Sequence, residues 1–561
     1  MPTPSLLYVT MQPRPGLSAA QFHDWYNNEH GPLRLRLPFI PNGFRYRATD
    51  GDGDYSESKP EWLAFYDVAD SVEFTRPPYT TLREDAVKTP REKDTMAQIA
   101  VDRRMYDFIQ EWRADDYQPL DRIDASPAGH VLVAVSFYLQ DPSQEAELDR
   151  WYREEHVNLL SKVPGWRRSR RFVTSSVTNP KPSEKEYLAL HEYAPQNGLG
   201  GPEFQAATST PWTQEIYSKV VRDRKRRVYE WHYTFGPAPR DLQPLASPDY
   251  AATFTSRDGL TKTFTASQSG TNWPVIESYV TTADGVTIPY RLEGAPDRDA
   301  PLIVLSNSIL TDWGIWDDFL QAFFAVPQNK VYRVLRYRTR GRNNDGGKLP
   351  VTIDLLAQDL ITLLDALRVP KAAALIGVSL GGVTVLNTAL KYPARVGSFI
   401  SSDTNAVAPA SNPKAWAERI ALAEGDTDYP VDAEGARLIG EKLAEATVRR
   451  WFVAESFDGG AQEARAAKVK EYVRTNRLDG FKQSVQALYA YDVREQMKSG
   501  QVRGIFTVGS GDGILPNTMK EMAASYANGV PLHVIERAGH LPMAEQPEKF
   551  AQVVTEFLQG N

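Results

Sequence analysis

The chain contains no cysteine, which excludes disulfides, thiolate metal sites and a cysteine nucleophile and is compatible with a reducing compartment. Long apolar runs are missing too. No window approaches the ~20 residues a membrane helix needs, and the opening MPTPSLLYVTMQPRPG has neither a basic leader nor an apolar core. A soluble, cytoplasmic protein without a membrane partner is therefore expected. Histidine is scarce: the 8 in 561 residues form no closely spaced ligand pair, so no metal site is expected. Nor is there an excess of basic residues. With 64 basic against 71 acidic side chains and a net charge of -7, the surface repels phosphate, and no nucleic-acid partner is expected. What is present is an ordinary globular composition, 42% apolar and 24% charged. The length exceeds one hydrophobic core and suggests roughly three to four domain units.

The first 235 residues contain an internal duplication. WYNNEHGPLRLRLP (25–38) and WYREEHVNLLSKVP (151–164) are offset by 126 residues without an indel, so that Trp25, Tyr26, Glu29, His30, Leu33 and Pro38 meet Trp151, Tyr152, Glu155, His156, Leu159 and Pro164. SLLYVTM pairs with VLVAVSF, EWLAFYDV with EYLALHEY, and RRMYDF with KRRVYEW. Each copy reads strand, helix, strand, strand, helix, strand, the ferredoxin-like order, in which one sheet face is buried under helices. On these motifs the copies resemble EthD-like members of the dimeric α+β barrel superfamily. That resemblance implies two sheets closed around a cavity within one chain, is compatible with a homodimer, and leaves chemistry such as isomerisation, decarboxylation or cyclisation open. His30 and His156 are then either an acid/base pair or packing residues that cap the helix with the adjacent glutamate.

The predicted organisation is repeat one at 1–120, repeat two at 121–236, a linker at 237–274 rich in Pro, Ser, Thr and Gly, and a third domain at 275–561. The cluster Arg222, Arg224, Lys225, Arg226, Arg227 reads as a solvated helix end entering the last strand of repeat two.

The third domain is organised around AALIGVSLGGVTVLNTALKYP. Here Ser379 stands between Gly377 and Gly381 where an apolar strand becomes a helix, a nucleophile elbow. Upstream come a hairpin turning at Asp284-Gly285 and the strands PLIVLSN and VYRVLRY; downstream come VGSFISSD, a helical insertion at about 407–495, GIFTVG and PLHVIE. The alternating βα pattern implies a mostly parallel sheet covered on both faces, the α/β-hydrolase order. That order calls for nucleophile, acid and histidine in sequence. Asp512 in GSGDGILP and His540 in RAGHLPMAEQP follow the last two strands, so Ser379, Asp512 and His540 are the expected triad, with Asp403 at the end of SFISSD as the rival acid. Backbone amides of Leu380, which follows the serine, and of Ile309, in the loop after PLIVLSN, are the expected oxyanion donors.

Two patterns mislead. GRNNDGGK from Gly341 resembles a phosphate loop, but its lysine is one position late and no Ser or Thr follows. GSGDG leads to Pro516 rather than opening a helix. No histidine pair is spaced as a ligand set. No cofactor is expected, and the partner is a small lactone or ester.

VLSNSILTDWGIWDDF, RYRTRGR, GVSLGG and AGHLP, with AWAERI and RRWF in the insertion, make the third domain resemble the 3-oxoadipate enol-lactonases. The resemblance implies opening of an enol-lactone in aromatic catabolism. Combined with the front half, it suggests a bifunctional protein whose barrel isomerises or decarboxylates a (carboxy)muconolactone; an esterase or thioesterase, or a non-catalytic scaffold, is the alternative. It makes Ser308, Trp416 and Trp451 substrate-binding candidates. Arg338 stands where that family usually has aspartate. Arg338, Arg340 and Arg342 would suit a more anionic substrate or else pair with surface acids.

Overall fold

A computed structural model describes residues 2–560 except 52–53, 123–127, 179–183, 343–345 and 528. The chain divides into two compact units, residues 1–239 and 240–561.

In the first unit alternate residues of the strands are buried on both faces. Eight strands are present: β1 (Ser5–Pro13), β2 (Asn42–Ala48), β3 (Trp62–Val68), β4 (Ile99–Arg113), β5 (Val131–Leu139), β6 (Trp166–Thr174), β7 (Glu186–Tyr193) and β8 (Val221–Thr234). They form a closed barrel in the order β1-β3-β2-β8-β5-β7-β6-β4, and neighbours are antiparallel throughout. The two copies contribute the runs β4-β1-β3-β2 and β8-β5-β7-β6, which meet at β2–β8 and β4–β6. Alternate residues such as Leu6, Tyr8, Phe44, Leu63, Phe65 and Leu132 share one core. Their sequence neighbours Leu7, Val9, Val133 and Tyr187 pack with helix residues Trp25, Tyr26, Trp151 and Tyr152 in two others. Closure leaves no strand edge exposed to pair with other chains.

The basic cluster does not end a helix. Residues 222–226 are exposed on β8, which begins at Val221 directly after the turn Ile216–Val220. Arg222 pairs with Glu184 and Arg227 with Asp50 at 3.1 Å. The helix stops at Val220, ahead of the whole cluster, and every member of the cluster is on the strand.

The second unit holds a ten-stranded sheet. Its strands are β9 (Phe254–Thr255), β10 (Lys262–Phe264), β11 (Val275–Thr281), β12 (Thr287–Gly294), β13 (Leu302–Ser306), β14 (Arg333–Tyr337), β15 (Ala374–Val378), β16 (Ser398–Ser402), β17 (Arg503–Gly509) and β18 (Leu532–Ile535). The order is β18-β17-β16-β15-β13-β14-β12-β11-β10-β9. The block β14 to β18 is parallel, and its central strands β13, β15 and β16 are buried on both faces, the first two reading as largely apolar runs and β16 burying three serines. The β11–β12 hairpin turns at Asp284-Gly285, with Gly285 at φ +85°. The stretch expected to be a linker is instead part of this unit: β9 and β10 extend the sheet beyond β11, and Leu242, Leu245 and Phe254 are buried. Turn-forming composition concealed strands too short to show a period. Between β16 and β17 the expected helical insertion is present as helices that include Asn412–Glu424, Glu441–Trp451 and Ala461–Arg474. Among the described residues no helix is long and apolar enough to cross a membrane.

Candidate active site

Ser379 leaves β15 at φ +59°, ψ -119°, a strained backbone for a non-glycine residue that turns the chain sharply into the helix Leu380–Lys391. The flanking glycines are required by space. A Cβ on Gly377 would lie 2.1 Å from Gly381 O, and one on Gly381 would lie 2.2 Å from Ser306 O. The turn is anchored by Ser379 N–H donating to Ser402 O at 2.9 Å and by Thr404 Oγ1 donating to Ser379 O at 2.8 Å. Leu380 is the first helical residue, so its N–H has no acceptor within the helix.

Asp512 follows β17 and His540 follows β18, and the tertiary fold joins them: Asp512 Oδ2 lies 2.7 Å from His540 Nδ1. Both line a cavity of about 200 Å³ together with Ser379 and Ile309. The histidine loop is fixed from the insertion. His540 N–H donates to Trp451 O at 2.7 Å, and the Trp451 ring stacks on the imidazole at 5.6 Å. Glu545, which sequence reading passed over, buries its carboxylate here. Oε1 accepts from Val453 N–H at 3.0 Å and Ser456 Oγ at 2.7 Å, and Oε2 accepts from Gly539 N–H at 2.5 Å. Burial is the first cause of its raised pKa. Its place five residues after His540, within an otherwise apolar segment, was the available signal.

Asp403, the rival acid, also reaches the cavity. Its Oδ1 accepts Gly509 N–H at 2.9 Å, and its Oδ2 is buried. Burial, and next the Asp512 charge, push its carboxyl well above the ordinary range. Of the two acids, Asp512 is the one bonded to the imidazole.

Ile309 is buried at the cavity, in a loop held by Asn307, which donates to Tyr337 O and accepts from the Trp316 indole, each at 2.8 Å. Ser308 is buried, and its carbonyl accepts from Thr311 Oγ1 at 2.7 Å. Trp416 and Trp451 do line the cavity.

The expected substrate arginines do not. Arg338 is held by Asp312 at 3.1 Å and stacks on Trp313 at 4.3 Å. Arg340 is fully buried between Asp359 at 2.6 Å and Asp284 at 2.8 Å. Arg342 donates to Thr475 O and Tyr472 O. The carboxylates that neutralise Arg338 and Arg340 lie 19 to 56 residues away in sequence, so no local pattern announces them. Arg419 and Arg450 occupy the cavity instead. The first lies three residues beyond Trp416 on one helix and the second adjoins Trp451, so the quoted tryptophan motifs contained the signal. The phosphate-loop lookalike at 341–348 includes 343–345, which lie outside the described residues.

In the first unit His30 and His156 are buried beside their tryptophans, ring centroids 4.6 and 4.1 Å apart. His30 Nδ1 meets Glu92 Oε1 at 2.8 Å; His156 Nδ1 meets Ala207 O at 3.3 Å. The motif glutamates do matching work: Glu29 and Glu155 each accept a hydroxyl, Thr89 and Thr210 respectively, at 2.5 Å, and those threonines cap the following helices. Burial first, then neighbouring positive charge from Arg34 or His191, lowers the pKa of His30 to about 4 and of His156 to about 3.

Among the described residues no cluster of His, Asp and Glu could hold a metal ion.

Residues 303–553 match the model of the alpha/beta hydrolase family. The chain is 30% identical over 281 residues to 3-oxoadipate enol-lactonase 1 of Acinetobacter baylyi, covering 50% of this chain and 96% of that protein. It is 27% identical over 274 residues to 3-oxoadipate enol-lactonase 2 of the same organism, covering 49% and 93%. The crystal structure of an enol-lactonase from Burkholderia xenovorans aligns at 27% identity with a TM-score of 0.43, covering 50% of this chain and 99% of the other. With the strained serine, the Asp–His pair and 30% identity to a relative matched over 96% of its length, the chain belongs to the alpha/beta hydrolase family.

Proposed function

We propose that the second unit is a serine hydrolase that opens an enol-lactone of the 3-oxoadipate kind. The observation that carries this reading is the 2.7 Å Asp512–His540 contact in one cavity with the strained Ser379. Asp512 holds the imidazole with Nδ1 protonated, leaving Nε2 as the base. His540 takes the Ser379 proton, and Oγ attacks the lactone carbonyl. The N–H groups of Leu380 and Ile309 receive the developing oxyanion. Collapse expels the ring oxygen as an enolate, which ketonises, and water then releases the acyl group with the same histidine as base. The likeness to the Acinetobacter enol-lactonases supports this substrate over other esters. The test is turnover of 3-oxoadipate enol-lactone by the full chain, with 3-oxoadipate identified as product; labelling of Ser379 by a fluorophosphonate without lactone turnover would leave a different esterase.

The first unit is inferred to be a tandem of ferredoxin-like, EthD-like repeats, an assignment supported by the matching strand runs of its two copies. The presence of such a barrel on one chain with an enol-lactone hydrolase supports a second activity that supplies the lactone by isomerising or decarboxylating a (carboxy)muconolactone. Carbon dioxide release from carboxymuconolactone by the full chain, compared with His30→Gln and His156→Gln, tests it; no release overturns the decarboxylation.

A further inference from the structure

The two copies in the first unit match closely enough for their differences to be informative. Each carries a buried arginine on its second strand, Arg45 opposite Ala64 and Arg171 opposite Ala189. Each guanidinium lies over the motif tyrosine, Tyr26 at 4.6 Å and Tyr152 at 4.2 Å, and meets the helix residue two places before the motif tryptophan. In the second copy that residue is Asp149, whose carboxylate stands 2.5 Å from Arg171 Nη1. In the first it is His23, whose Nδ1 stands 3.0 Å from Arg45 Nη1. A second exchange lies alongside. The last strand of each copy shifts register where it passes the arginine of the other copy. Beside Arg171 the residue at the shift is Ile109, packed on the apolar core under the second copy's helices; beside Arg45 it is His232. Two of the chain's eight histidines thus replace an acid and an aliphatic residue at one point of one copy. The barrel does not require them, because the other copy closes with Asp149 and Ile109.

The two imidazoles stack, with ring centroids 5.0 Å apart and planes inclined by 27°. Trp62, where the second copy has Tyr187, stands edge-on to both at 5.0 and 4.8 Å. A guanidinium only donates, so His23 Nδ1 accepts from Arg45; its ring proton is on Nε2 and the ring is neutral. Arg45 is itself fixed by Asn27 Oδ1 at 3.0 Å and by the faces of Phe22 and Trp62 at 4.5 and 4.6 Å. His232 is the ring at the surface of the pair, and it lines a cleft of about 960 Å³ together with Gln12, Arg47 and Trp231. With its stacking partner held neutral, His232 takes up a proton without a second imidazolium opposing it, and imidazole is the side chain that both takes and returns protons.

We propose that His232 is an acid/base catalyst of the first unit, with His23 as its positioning residue, acting on a small unsaturated lactone whose double bond can migrate. The proposal rests on the isomerase reading of that unit and adds the site, which is the open His23–His232 pair of one copy and not the sealed His30 and His156. His232 removes a proton from one end of the conjugated system, the electron pair passes to the carbonyl oxygen as a dienolate, and the imidazolium returns the proton to the carbon at the other end. No atom is gained or lost, and no co-reactant enters.

The probe is muconolactone in deuterium oxide with the full chain carrying Ser379→Ala, which prevents ring opening. The lactone should gain deuterium at the exchanging carbons. His232→Ile, which installs the residue of the equivalent position, should lower incorporation at least about a hundredfold, and His232→Gln should do the same if isoleucine unsettles the strand. His23→Asp should lower kcat for incorporation at least about tenfold with KM within about threefold, and His23→Asn, which keeps an oxygen acceptor for Arg45, should recover part of the loss. Nitrogen-15 spectra of the imidazoles should show His23 with an unprotonated Nδ1, and muconolactone should shift the His232 signals; unchanged signals from the remaining histidines establish that a variant is folded. No incorporation without these substitutions, incorporation undiminished in folded His232→Ile and His232→Gln, or His232 signals that muconolactone leaves in place each overturn the proposal. Incorporation that depends on His232 without net conversion to the enol-lactone supports the proton-transfer site and overturns the isomerase reading, whereas net conversion unaffected by His232→Ile keeps that reading and overturns the site.

Discussion

His540–Asp512 at 2.7 Å and His30–Glu92 at 2.8 Å are histidine–carboxylate pairs of almost the same length, in opposite settings. The first lies at a cavity beside a strained serine, its two side chains about one-seventh exposed. The second is sealed between helices, with the glutamate side chain 5% exposed, and the equivalent imidazole of the other repeat makes do with a backbone carbonyl. A pairing distance does not make an acid/base catalyst. What separates the two is a nucleophile within the cavity and room for a substrate; without them the same chemistry becomes a tie between helices.

The largest contrast should come from the nucleophile. Ser379→Ala is expected to lower lactone or ester turnover by about 10⁴-fold or more, measured as kcat on the full chain, whereas His30→Gln should leave kcat within about threefold. Loss of turnover in His30→Gln comparable to that in Ser379→Ala would erase the distinction. Next, Asp512→Asn should lower kcat by about 10³- to 10⁴-fold by releasing the imidazole tautomer. Asp403→Asn should retain at least about a tenth of the activity, and the reverse ranking would make the rival residue the acid.

The sealed histidines should show themselves in stability. Their pKa values are held at about 4 and about 3 when folded, against about 6.5 in an unfolded chain. Below about pH 6.5 the unfolded chain therefore binds more protons, and the stability these neutral imidazoles contribute is complete above that pH. It is lost as pH falls toward about 4 for His30 and about 3 for His156. Thermal unfolding between pH 7 and 4 should show a steeper decline for wild type than for His30→Gln or His156→Gln, each of which should itself cost about 1–3 kcal/mol at pH 7. The smallest effect is expected at Arg338. Tied to Asp312, it should tolerate Arg338→Gln with less than about a threefold change in kcat/KM.

Much of the rear site was legible because its signals are local. Gly377, Ser379 and Gly381 must be adjacent for the elbow to close, and Asp512 and His540 each directly follow an apolar strand. Strand pairing then brings them together, since β15, β16, β17 and β18 run parallel and end on one side. Arg338 and Arg340 misled because a charge's role is set by its partner, and Asp359 or Asp312 approaches only after folding. β9 and β10 were hidden because two or three residues carry no periodicity, so only pairing with β11 identifies them as strands.

The sequence by itself determined the duplication, the elbow and the order of serine, acid and histidine, all of which follow from spacing along the backbone. Only the tertiary structure decided which histidine meets Asp512 at a cavity, which arginines are tied to buried acids and where the second unit begins. Burial and electrostatic pairing depend on distances through space, and those distances are fixed when the helices and sheets pack.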